Sequence, residues 1–220
     1  MAKVAYGADV SNIRGKVGND VFSRARNGPT LRIRASPKNP RTTAQNNARA
    51  NLTRAAETYR NLTAAQAAIW IAYGLTITKK NPVSGTSYHP TGIDAFVALA
   101  AKFLQVNPGG VLPLIPPVNA FPGDAIAVTA AGAAGQVTFT ASAANAANVK
   151  TELLLQPLRS RNRAPSAIGY RTKAFVAFAA GALTANVAVP AGLYAPAYRF
   201  VNTQTGQQTA PVMLPTVQVN

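Results

Sequence analysis

Cysteine is absent from the 220 residues, which excludes disulfides, thiolate nucleophiles and cysteine-ligated zinc. Acidic side chains are scarce: 6 Asp and Glu stand against 22 Lys and Arg, a formal net charge of +16. Aromatic residues make up 7% of a chain that is 48% apolar, so any core rests mainly on alanine and aliphatic side chains, a composition suited to thin sheets and short helices. Long apolar runs are missing too. The long uncharged stretch between Lys173 and Arg199 is interrupted by Gly181, Pro190, Gly192 and Pro196 and does not read as a membrane helix. The start, MAKVAYGADVSNIRGK, has no apolar run or small-residue cleavage site, so no secretory signal and synthesis in a cytoplasm are expected.

The same scarcity bears on catalysis, which needs a positioned acid, base, nucleophile or metal. His89 is the lone histidine. It stands in GTSYHPTG, a turn-rich segment where a surface or capping role is expected. Asp9, Asp20, Glu57, Asp94, Asp124 and Glu152 never occur as close pairs. GKVGND lacks P-loop spacing and the following Lys-Ser or Lys-Thr. The expectation is a protein without catalytic residues, metal or cofactor.

What the chain does have is positive charge at one end. Residues 1–80 hold 14 basic and 3 acidic side chains, a net of +11. Such a field suits nucleic acid, an acidic membrane or an acidic neighbouring subunit, and charge alone does not choose. Composition changes along the chain divide it into a basic arm (1–40), a helical section (41–107), a proline-rich linker laid over a surface (108–123) and a β-rich domain (124–220).

In the arm, VFSRAR and TLRIRA flank Asn27-Gly28-Pro29, a hairpin signal. A two-residue loop there pairs Arg24 with Leu31 and mixes apolar with basic groups. A three-residue loop pairs Arg24 with Arg32 and Ala25 with Leu31, and gives the cleaner faces. Val21, Ser23, Ala25, Leu31 and Ile33 then point one way, and Phe22, Arg24, Arg26, Arg32 and Arg34 the other. The first set is the expected packing face of the arm. The second is either a solvated face with splayed arginines or a contact face for carboxylates or phosphate.

Helix signals follow. Thr42 with Gln45 forms a capping box that opens a helix to about Tyr59 or Arg60, with Ala48, Leu52, Ala55, Ala56 and Tyr59 as its apolar stripe. Thr63 with Gln66 opens a second after a short turn, and Gly74 is placed to end it. Thr91 with Asp94 opens a third, stopped by Asn107-Pro108-Gly109-Gly110. Trp70, Tyr73, Phe96 and Phe103 are the expected helical core, with Trp70 a packing anchor rather than a platform for bases.

From residue 124, seven apolar or alternating runs separated by Gly, Asn, Pro and Ser clusters predict a sandwich. AGLYAPAYRFVN followed by TQTGQQ resembles the paired strands near the end of fibronectin-like or immunoglobulin-like domains, with Tyr194 at a corner position. The fold class is therefore α+β: an extended arm with a β-hairpin, a small helical section and a C-terminal antiparallel β-sandwich.

A further resemblance rests on GKVGNDVFSRARNGPTLRIRASPKNPRTTAQNNAR, LTAAQAAIW and TGIDAFVALAAKFL, in that order. The matching positions are Gly15, Lys16 and Gly18; Asn39, Pro40, Arg41 and Thr42; Trp70; and Gly92, Ala95 and Phe96. The chain resembles phage and prophage proteins that share this series over roughly its first half. The resemblance implies a virion-associated structural subunit that assembles with copies of itself and other virion proteins, without a membrane. A capsid or capsid-decorating protein is expected, with a tail or tubular subunit, or a nucleic-acid binder using the arginine-rich hairpin, as the alternatives.

Overall fold

The chain divides into two units, Met1–Thr43 and Ala44–Asn220. The computed structural model describes residues 2–3, 12–25, 28–36, 39–80 and 85–220. In the first unit, β1 (Ala2–Lys3), β2 (Gly15–Val17), β3 (Asp20–Ala25) and β4 (Gly28–Ile33) form an antiparallel sheet in the order β1-β4-β3-β2. The hairpin expected in the arm is thus widened to four strands. Gly18, at φ 57°, makes the tight turn between β2 and β3, where Val17 pairs with Asp20.

The hairpin register differs from the expected one. Phe22 pairs with Leu31, Ser23 with Thr30, Arg24 with Pro29, and Ala25 with Gly28. Gly28 belongs to the strand and not to the loop. The physical reason lies in the cross-strand pairs: this register sets Phe22 against Leu31 and lets the hydroxyls of Ser23 and Thr30 hydrogen-bond at 2.9 Å. It also places Arg24 and Arg32 on opposite faces, which removes the like-charge pair that the three-residue loop would create.

The second unit opens with α1 (Thr43–Arg60) and α2 (Ala64–Thr76), joined across Asn61–Thr63, followed by the short pair β5 (Lys79–Lys80) and β6 (Ser87–Tyr88) and by α3 (Gly92–Val106). Thr63 accepts from the Gln66 amide while Gln66 reaches back to the Thr63 amide, so the capping box closes as the sequence predicts. Thr91 caps α3 in the same manner through Asp94, and Asn107 ends it. Gly74 does not end α2, which runs on to Thr76 and stops where Ile77 turns extended. It is buried where a Cβ would lie 2.6 Å from the Pro90 carbonyl oxygen, so its small size is required by a close approach. The stripe on α1 is only partly used: Ala55 is buried and Tyr59 half-buried, whereas Leu52 is exposed.

Eight strands follow among the described residues: β7 (Val128–Ala133), β8 (Gln136–Ala141), β9 (Val149–Leu158), β10 (Arg171–Val176), β11 (Thr184–Ala188), β12 (Gly192–Asn202), β13 (Val212–Met213) and β14 (Val217–Val219). One sheet has the order β10-β9-β12-β13, with β14 also on β12, and the other has β11-β8-β7. All pairs are antiparallel, which gives the predicted sandwich and the α+β class. The last predicted run is split in two, β13 and β14. Val137, Phe139, Leu153, Leu155, Tyr198 and Phe200 are among the buried residues between the sheets, each worth roughly 1.5 to 3 kcal/mol if fully withdrawn from water. Tyr194 donates its hydroxyl to the Pro190 carbonyl at 2.9 Å, a tyrosine corner four residues long.

The helical section, the proline-rich stretch and the sandwich belong to one unit rather than to separate domains. Strand β9 shows why. Leu153 and Leu155 face the inter-sheet core, while Glu152 and Leu154, on the other face, are also buried, and Glu152 there meets Lys102 of α3. A strand buried on both sides reads as the near-continuous apolar run VKTELLLQPL.

Candidate functional site

The N-terminal sheet carries the arginines singled out in the sequence, but grouped otherwise than expected. Opposed residues share a face, so Gly15, Phe22 and Leu31 lie together, as do Val17, Asp20 and Ile33. The other face holds Lys16, Val21 and Arg32, beside Ser23 and Thr30. One side is therefore mainly apolar, with Asp20 and Arg24 as its charged members, Arg24 lying opposite Pro29, and the other side is basic. Phe22 is on the apolar side with Leu31 and Ile33, and Val21 is on the basic side. Arg24 and Arg32 are exposed, and Arg34, just past β4, is exposed while its amide bonds the Asn19 carbonyl at 2.8 Å. Arg26 and the side chain of Ala25 lie outside the described residues.

No residue of this sheet whose burial is described is buried. Phe22 and Leu31 are half-buried, and on the same side Val17 is 60% and Ile33 74% exposed. Two β-branched side chains thus stand open to water beside an aromatic and a leucine.

The second unit has its own helical core. Trp70 is buried, stacks edge-on against Phe96 at 5.0 Å and Tyr73 at 5.6 Å, and donates Nε1–H to the Leu114 carbonyl at 2.9 Å. Phe103 is buried in the same cluster, and Tyr73 packs against it half-buried. The Trp70 bond also fastens the proline-rich stretch, whose Leu112 is buried against the helices.

The outward face of α2 has no charged residue. Ala68, Ile69, Ile71, Ala72 and Leu75 are all exposed along it. One side of this face continues into an open groove of about 930 Å³ lined by Ile69, Tyr73, Leu99, Ile115, Val118 and Phe121 among others. The sequence reading took Trp70 and Tyr73 as core and missed this surface. Its signal was available: AAQAAIWIAYGLT contains no Lys, Arg, Asp or Glu on any side, whereas a helix lying on a globular surface normally shows a charged face.

A buried ionic cluster was also missed. Glu152 on β9 is fully buried and accepts from three cationic or hydroxyl partners. Lys102 Nζ of α3 lies 3.1 Å from both carboxylate oxygens, and Arg199 of β12 donates Nε at 2.6 Å and Nη2 at 3.0 Å. Thr172 Oγ1 of β10 donates to Oε1. Burial works to raise the carboxyl pKa, but the bonds from Arg199 and Thr172 and the charge of Lys102 hold it below the usual carboxylate range. Burial lowers the Lys102 pKa, against the pull of Glu152. The cluster ties a helix to three strands and is a structural device, since every group faces another protein group.

His89 donates Nδ1–H to the Ile77 carbonyl at 2.9 Å and so fastens the turn before α3. Among the described residues no group of three or more His, Asp or Glu is placed to hold a metal ion, and no helix is long and apolar enough to cross a membrane.

No protein-family model matches the chain, and no curated protein matches it. Among solved structures, the FN1–FN3 domains of chicken CNTN1 align with 47% of this chain and 35% of that one, at 13% identity and a TM-score of 0.28.

Proposed function

We propose that this chain is a non-enzymatic structural subunit that assembles through its N-terminal sheet with copies of itself and with other proteins of a phage particle. The observation that carries this reading is the open apolar side of the sheet, Val17, Phe22, Leu31 and Ile33, in a sheet with no described residue buried. Sheets in stable proteins hide one face against a second layer. A partner surface is the layer that this one lacks. The uncharged outward face of α2 supports the same reading, because an apolar helix face in water fits a contact between subunits.

The phage setting comes from the motif series resembling phage and prophage proteins, and it makes the assembly a capsid or capsid-decorating layer within the virion. Removing residues 1–40 is the test. The remaining chain keeps both hydrophobic clusters, so it is expected to stay folded by circular dichroism and to lose assembly in electron micrographs. A truncated chain that assembles like the parent refutes the role given to the sheet. Tubes in place of shells or decorated capsids would move the protein to a tail.

A further inference from the structure

We infer that the loop joining β9 to β10 is a binding surface for the phosphate backbone of double-stranded nucleic acid, independent of the N-terminal sheet. The loop reads Arg159-Ser160-Arg161-Asn162-Arg163, with arginine at every second position and hydroxyl or amide donors between. All five residues are exposed, and among the described residues none of the three arginines forms a salt bridge.

The surroundings leave this charge unbalanced. Glu152 is the last acidic residue of the chain, and it is buried within its own cluster. Asp124, the other carboxylate of residues 124–220, accepts from Asn145 Nδ2 at 3.1 Å and from the Ala146 amide at 2.8 Å. No exposed carboxylate between Ala125 and Asn220 offsets the arginines.

The loop is also held in shape. The Arg163 amide bonds the Ser160 carbonyl at 3.2 Å, closing a turn, and the Ser166 amide bonds Gln156 Oε1 at 3.0 Å. Gly169 packs so closely on Gln156 that a Cβ would meet its side chain at 2.4 Å. Arg171 donates to the carbonyls of Ile168 and Tyr170, which fixes the far end. The turn brings Arg159 and Arg163 to one hollow of about 260 Å³ with Gln156 and Pro157.

The chemistry favours phosphate over an acidic protein. Guanidinium groups match phosphate oxygens in a two-pronged fashion, and Ser and Asn are further common donors to the nucleic-acid backbone. Residues 159–169 contain no aromatic ring, so base stacking is not offered, and Ile168 is the sole large apolar side chain where a protein interface would need a desolvated core. A duplex backbone read without sequence preference fits what is there.

The test uses the full chain and a fluorescein-labelled duplex DNA of random sequence, with anisotropy titrations across a salt series. Each phosphate contact contributes about 0.9 to the slope of log affinity against log salt. Arg159→Gln, Arg161→Gln and Arg163→Gln together are expected to reduce that slope by about 2 to 3, and Arg161→Gln alone by about 0.9. Lys16→Gln, Arg24→Gln and Arg32→Gln together remove equal charge elsewhere and are expected to change the slope less. Equal losses from the two triple variants, or an unchanged slope in the loop variant, overturn the inference. So does tighter binding of poly-L-glutamate than of DNA, which would make the partner an acidic protein. The loop side chains are exposed, so unchanged thermal midpoints are expected and certify the comparison. Assembly retained by the loop variant distinguishes this inference from the reading of the N-terminal sheet.

Discussion

Arg199 and Glu152 stand directly opposite each other on β12 and β9, and two hydrogen bonds of 2.6 and 3.0 Å join the guanidinium to the carboxylate. The same carboxylate receives Lys102 from α3. One buried charge therefore connects the central strands of the sandwich to the helix that covers them. Removing either partner of such a pair costs more than the pair itself contributes, because the remaining charge is left without water.

Arg199→Ala is accordingly expected to lower stability by about 3 to 5 kcal/mol in urea unfolding. Lys102→Met should cost less, since Glu152 keeps Arg199 and Thr172. Equal losses would show that the helix contact neutralises the carboxylate as much as the strand pair does.

The cluster also sets an acid limit. The Glu152 pKa is held below the value of about 4.3 that it has in an unfolded chain. Its contribution is then complete above that value and disappears as pH falls through the lower folded value. Lys102 has the same sign in an alkaline window: its lowered pKa means that stability is gained, not lost, as pH rises toward the usual lysine range. Thermal midpoints should stay level from neutral pH to about 5 and fall below about 4. Glu152→Gln is expected to start lower and to flatten this acid decline. An unchanged acid profile in that variant would place the sensitivity elsewhere.

In the helical core, Trp70 fills the space between Tyr73 and Phe96 and holds the Leu114 carbonyl. Trp70→Ala should cost about 3 to 5 kcal/mol. Trp70→Phe, which keeps most of the ring volume but loses the bond, should fall well short of that. Wild-type stability in the alanine variant would contradict a packing role.

How much of this was legible depended on the distance over which each feature is encoded. The caps at Thr63 and Thr91 are complete within four residues, and Tyr194 bonds four residues back, so short strings reveal them. The hairpin register was not legible from turn residues alone, because Ser23–Thr30 and Phe22–Leu31 are pairings across strands. Gly74 read as a helix stop, although the Pro90 carbonyl that requires it lies on another segment. The charged partners of Glu152 are 50 and 47 residues away, which is why the local string gave no warning of the cluster. The open face of α2 was visible as a missing charge and was overlooked because Trp70 drew the helix inward.

The central claim, assembly through the apolar side of the N-terminal sheet, is tested most directly by the mass of the full-length protein in sedimentation velocity. Val17 and Ile33 are largely exposed within the chain, so Val17→Asp with Ile33→Asp alters a contact surface at little expense to the fold. The account predicts multimers for the parent and a single folded chain, with an unchanged thermal midpoint, for the double variant. A parent that sediments as one chain, or a double variant with the parent's mass, would contradict it.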